Sequence, residues 1–144
     1  MTQLIISFEE LDTKHDPKLI ELLRFRMKEN IIKGDYVKAK ADVTECLRIL
    51  QINVGKNHPY EIFILRNYAN ELANAGRVNQ ALECFNQQLE LCDKLLHTSH
   101  PLTALLNDQI WKLYVKKSDL RQAIKHFRLS LPLFKDGQNN QSFN

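Results

Sequence analysis

HPYEIFILRNYANELANAGRVNQALECFNQQLEL, residues 58–91, is the stretch from which the fold can be read. Pro59 suits a first helical turn, where the amide it lacks would have no partner inside the helix. Gly76 follows the apolar pattern that ends near Ala75, where a helix closes on a left-handed residue. A second pattern opens at Arg77 and places a small residue, Ala81, one turn before Phe85 on the same face. The stretch predicts two helices, from about Pro59 to Ala75 and from about Arg77 to Leu96. Ala81 sits where the two can approach closely.

The same pattern recurs on either side. His58-Pro59 and His100-Pro101 stand 42 residues apart, and one further step back reaches Asp16-Pro17. In that register Ala39, Ala81 and Ala123 align, as do Val43, Phe85 and Phe127, and Leu47, Leu89 and Leu131. Leu22, Ile64 and Leu106 form another column, Met27, Ala69 and Trp111 a fourth, and the turn reads Gly34, Gly76 and Ser118. First helices are therefore expected at about Pro17–Ile32, Pro59–Ala75 and Pro101–Lys117. Second helices are expected at about Asp35–Ile52, Arg77–Leu96 and Asp119–Phe134, with Asp35 and Asp119 suited to capping.

One hairpin cannot bury its apolar face alone, whereas stacked neighbours create a continuous core. The expected fold is all-α, a right-handed α-α superhelix of three helical hairpins (17–58, 59–100 and 101–135). An N-terminal half-repeat helix and link (1–16) precede them. That half-repeat rests on the match of Leu4–Asp16 to Cys46–His58 and Gln88–His100, with Ile5 beside Leu47 and Leu89. At the other end Pro132 is expected to break the last helix, and residues 136–144 read as a disordered tail. Without a polar capping helix, the apolar ends of the array invite self-association or a partner.

Composition limits the function classes. The chain has 144 residues, with hydrophobic residues at 44% and charged residues at 26%, the range of a soluble domain. A net charge of +3 is too mild to imply nucleic-acid binding. The charge is uneven, however: Lys112, Lys116, Lys117, Arg121, Lys125, Arg128 and Lys135 face only Asp108 and Asp119 over residues 101–135. Cys46, Cys84 and Cys92 show no CxxC spacing and read as reduced core thiols, which points to the cytoplasm or nucleus. No apolar run approaches the ~18 residues of a membrane span, and the first residues lack the basic segment and cleavage site of a secretory signal. No phosphate loop, GxSxG, HExxH or EF-hand pattern is present, so neither an enzyme nor a cofactor is expected. His97 and His100 stand three apart in a link, and His100 is already explained by the repeat, so no metal site is assigned.

The arrangement of turn Gly, early Ala and a following aromatic resembles the tetratricopeptide repeat, whose usual period is about 34 residues. The longer 42-residue form, with Val54-Gly55-Lys56-Asn57-His58-Pro59 as its link and Leu65-Arg66-Asn67-Tyr68-Ala69 as its signature, is similar to kinesin light chains. That resemblance implies an adaptor that holds peptides. A second stretch, HPLTALLNDQIWKLYVKKSDLRQAIKHFRLSLPLF from His100 to Phe134, resembles the C-terminal repeats of SET-and-MYND-domain lysine methyltransferases. It implies a regulatory or substrate-access segment, here without the catalytic domain or its zinc-binding cysteines.

Function is expected on the first helices, along a concave groove. Counting from Ile20, Ile62 and Ala104, the fifth, sixth and ninth positions supply Arg24, Lys28, Arg66, Asn67, Asn70, Gln109 and Lys112. By resemblance to tetratricopeptide domains that clamp a C-terminal carboxylate, these residues would bind a protein or peptide partner, with an acidic or carboxylate-ended segment favoured. The chemistry fits: an amide can make two hydrogen bonds to a peptide backbone, and Arg can grip a carboxylate bidentately. Asp108 departs from that pattern. Trp111 is expected to be a core residue.

Overall fold

The computed structural model describes residues 15–96 and 100–142, with backbone alone for 132–142. The half-repeat expected before Asp16, together with His97, lies largely or wholly outside the described residues. Six α-helices make up the described chain: α1 (Lys18–Ile32), α2 (Tyr36–Val54), α3 (Tyr60–Asn74), α4 (Val78–Leu95), α5 (Pro101–Lys116) and α6 (Leu120–Ser142). No strand occurs among the described residues. Five helices match the sequence-based boundaries to within two residues. The sixth runs on past Pro132 to Ser142, where a break near Phe134 and a disordered tail over 136–144 were expected. A proline removes one amide donor but keeps its carbonyl, so helical turns can persist on both sides of it.

The three hairpin turns are built alike. Gly34 N–H donates to the Ile31 carbonyl at 3.0 Å and Asp35 N–H to the Asn30 carbonyl at 2.8 Å. Gly76 and Arg77 repeat this with Ala73 and Leu72, and Ser118 and Asp119 with Val115 and Tyr114. This paired closure satisfies helix-end carbonyls that would otherwise be orphaned, and it needs a left-handed residue at its first position. The φ angles there are +81° for Gly34, +80° for Gly76 and +61° for Ser118. Ser118 is the one of the three with a Cβ, which left-handed geometry crowds against the following carbonyl. Ser118→Gly is therefore expected to raise stability by about 0.5–1 kcal/mol, the strain relieved less the entropy glycine adds to the unfolded chain. Thermal melts of the two proteins would check this; a lower melting temperature for the variant would contradict it.

The X-Pro marks also have a common physical role. Asp16 Oδ1 accepts from Lys18 N–H at 2.9 Å, His58 Nδ1 from Tyr60 N–H at 3.1 Å, and His100 Nδ1 from Leu102 N–H at 3.1 Å. In each link the residue before proline caps the coming helix, and the proline supplies the position that has no amide to satisfy. The second helices start from Asp35, which accepts from Lys38 N–H, and from Asp119, which accepts from Gln122 N–H. Arg77 opens α4 without a side-chain cap.

The chain divides into two compact units, Met1–Ile64 and Leu65–Asn144, with the boundary inside α3. In the first unit α1 packs against α2 around Leu23, Met27, Ala39, Val43, Cys46 and Ile49, all buried. In the second unit α5 packs against both α4 and α6, and Ala81, Phe85, Leu106 and Ile110 are buried there. The Ala column behaves as its size requires: Ala39 and Ala81 are fully buried and Ala123 nearly so. Trp111 is only half-buried, with its indole N–H donating to Asp108 at 2.9 Å and its ring edge-on to Phe127. It lies at the margin of the core because an indole is too large for the column that Met27 and Ala69 fill.

Candidate functional site

The expected groove residues fall into both units. In the first, Arg24 Nη1 donates to Glu21 at 2.9 Å, and its guanidinium lies 4.6 Å from the centre of the Phe63 ring. That charge is already engaged by a carboxylate and an aromatic face. Lys28 is exposed. In the second unit Arg66 and Asn67 are half-buried. Asn70, Gln109 and Lys112 come together.

These last three share one open cleft of about 610 Å³ with Ala73, Asn74, Phe85, Leu113 and Lys116. Asn70, Ala73 and Asn74 come from α3, spaced so that one helical face presents them, and Gln109, Lys112, Leu113 and Lys116 repeat that spacing on α5. Three amides and two ammonium groups thus line a single recess, with Phe85 and Leu113 supplying apolar surface. Lys112 donates to Asp108 at 3.1 Å, while its own side chain stays 53% exposed, so this pair is a weak, screened one. Among the described residues no carboxylate pairs with Lys116. The recess can therefore accept a carbonyl or carboxylate and also donate to a peptide backbone. Asn74 and Lys116 were not singled out from the sequence. Each lies one turn beyond a chosen residue, and extending the α3 and α5 faces by four positions would have found them.

A polar column in the repeat register also went unread. Asp42, Cys84 and His126 stand 42 residues apart, and all three are buried. Each sits on a second helix and faces its first helix. Asp42 accepts from Arg26 Nε at 2.9 Å, Arg26 Nη2 at 2.7 Å and Asn30 Nδ2 at 2.8 Å. Cys84 donates to the Leu65 carbonyl at 3.2 Å. His126 Nδ1 lies 2.7 Å from Asn107 Oδ1 and its ring stacks on Tyr114. The repeat thus keeps a buried polar position but meets its hydrogen-bonding need differently in each hairpin. These residues tie helix to helix, and none of them lines the recess between α3 and α5.

All three cysteines are buried and free, and burial pushes the Cys46 and Cys84 thiols up to about 12. They are core residues with little thiolate at neutral pH. Among the described residues no cluster of His, Cys, Asp and Glu could hold a metal ion, and no helix is long and apolar enough to cross a membrane.

His126 makes the second unit sensitive to pH. Asn107 Nδ2 donates to the Thr103 carbonyl at 2.9 Å, which turns Oδ1 toward the imidazole and places the neutral ring's proton on Nδ1. Burial, with Lys125 adding repulsion, lowers its pKa below the ordinary value of 6.5. The unfolded chain then takes up the proton first as pH falls. Stability should be full above about pH 6.5 and decline as pH drops from there toward the depressed folded value. Chemical denaturation at pH 7.5 and pH 5.5 should show this loss in wild type and less of it in His126→Gln; an equal loss in both would assign it to other groups.

The fold has counterparts of known structure. Over 81% of this chain and 56% of the other, it superposes on nearly identical TPR-like repeats of a chain described as a kinesin light chain from Podosopora anserina, with a TM-score of 0.59 and 15% identity. A variant of the same repeats matches with a TM-score of 0.59 and 14% identity, over 86% of this chain and 57% of that one. The chain spans a little over half the length of these structures. The likeness establishes an all-α, TPR-like repeat fold. No protein-family model and no curated protein matches the sequence.

Proposed function

We propose that this chain is a protein-interaction scaffold that holds an extended peptide segment, with a carboxylate of that segment seated in the recess between α3 and α5. The observation that carries this reading is the lining itself. Lys116 stands unpaired among the described residues beside Asn70, Asn74, Gln109 and the loosely held Lys112. Such a set favours a ligand that brings backbone amides and one negative charge, because the amides bond the peptide and the ammonium groups answer its carboxylate. A TPR-like fold serves many partners, so the argument rests on the recess and not on the fold.

The test is selection from a displayed random peptide library against the full chain. Enriched sequences are expected to carry Asp, Glu or a free C-terminal carboxylate. Against the best of them, Lys116→Glu should weaken binding by about tenfold or more, the worth of one charge-assisted hydrogen bond turned to repulsion. Lys28→Glu, which does not line the recess, should leave it within about twofold. Enrichment of uncharged peptides, or equal effects of the two variants, would defeat the proposal.

A further inference from the structure

One helix face is covered on α4 and bare on α6. On α4, Leu82 and Phe85 are 4% and 1% exposed, and α5 packs against that helix. Their counterparts one repeat later on α6, Ile124 and Phe127, are 52% and 41% exposed, and Leu120, one turn before Ile124, is 63% exposed. Leu120, Ile124 and Phe127 keep the spacing of one helical face, so they form a single apolar stripe. One side of the stripe borders the buried seam of Ala123, His126 and Ser130. The other side carries Arg121, Lys125 and Arg128, each one position on from a stripe residue and each exposed. Among the described residues none of these three cations pairs with a carboxylate. On α4 the same flank reads Asn79, Glu83 and Asn86. The α6 face thus keeps the apolar seat of α4 and replaces two amides and an acid beside it with three cations. Helix α6 itself runs on to Ser142, so it cannot turn back over its own stripe.

We propose that α6 docks an amphipathic helix of a partner protein, whose apolar row covers Leu120, Ile124 and Phe127 and whose acidic edge meets Arg121, Lys125 and Arg128. Two observations commit the occupant. The same register on α4 takes a helix, α5, so the stripe has the width and spacing that a helix fills. Three unanswered cations along one flank call for Asp or Glu on the matching edge and disfavour a basic one. A second copy does not supply that edge through its α1, which carries Lys18, Arg24, Arg26 and Lys28 against Glu21 and Glu29. An anionic lipid surface fits less well. A helix that lies on a bilayer has a polar face that borders its apolar face on both sides, whereas here one side of the stripe is the buried seam.

Selection from a displayed library of amphipathic helices tests this, with a fixed Leu row and with flanking positions drawn from Glu, Gln and Lys. Against the full chain, Glu should be enriched along one flank. Against a variant carrying Arg121→Glu, Lys125→Glu and Arg128→Glu, the preference should reverse to Lys. The best Glu-flanked helix should bind that variant about tenfold or more weakly, the worth of three exposed ion pairs turned to repulsion. Ile124→Lys should weaken it about tenfold or more, as expected for a charge placed where a Leu-sized side chain becomes buried. Lys116→Glu should leave helix binding within about twofold, so this surface and the recess between α3 and α5 succeed or fail independently. All the substituted side chains are exposed, so the variants are expected to fold, which circular dichroism checks. Enrichment without a flank preference, or helices that bind Ile124→Lys as well as wild type, would overturn the proposal. So would a chain that enriches no helix, whether it binds phosphatidylserine vesicles, self-associates through Ile124 or does neither.

Discussion

Asp42→Ala is expected to lower the stability of the first unit by about 3–5 kcal/mol, the cost of stripping the partner from a buried charge. The carboxylate is 4% exposed and accepts three hydrogen bonds that join α2 to α1, two from Arg26 and one from Asn30. Its removal leaves a guanidinium that is only 16% exposed without that carboxylate. Asp42→Asn should cost less, because its carbonyl oxygen still accepts from Arg26. Urea denaturation followed by circular dichroism, with amide exchange to locate the loss in α1 and α2, is the measurement. A cost below about 1 kcal/mol for the Ala variant would mean that Arg26 finds water instead, as exposed pairs do.

Phe85→Ala should cost about 3–5 kcal/mol, whereas Phe127→Ala, at the same register position one repeat later, should cost only about 1–2 kcal/mol. Chemistry and helix position are the same, so burial decides. Phe85 is 1% exposed, and its loss leaves a cavity that α4 and α5 cannot readily close. Phe127 is 41% exposed and keeps one ring partner, Trp111, at 5.5 Å. Chemical denaturation of the two variants makes the comparison. Equal costs would show that the α6 face is covered within one chain.

The candidate site was partly legible. Asn70, Gln109 and Lys112 were reachable by counting along the repeat, because helical periodicity fixes which residues share a face. Arg24 came from the same count, but its engagement by Glu21 and Phe63 depends on side chains that the count does not weigh. Lys116 was noted only as one charge in a basic stretch. Its place in the recess follows from the length of the α5 face.

The helices, their turns and the 42-residue register are all legible in the order of the residues. Proline, glycine and a capping aspartate act locally, so each leaves its mark within a few residues of where it works. How far α6 continues past Pro132 and which members of each column are covered emerge only in the folded chain. Burial depends on what packs above a residue, so Phe85 and Phe127 look alike in sequence and differ in the fold. The same holds for Asp42, Cys84 and His126: the register marks one position three times, and only packing reveals that it is buried, polar and satisfied by a different partner in each hairpin.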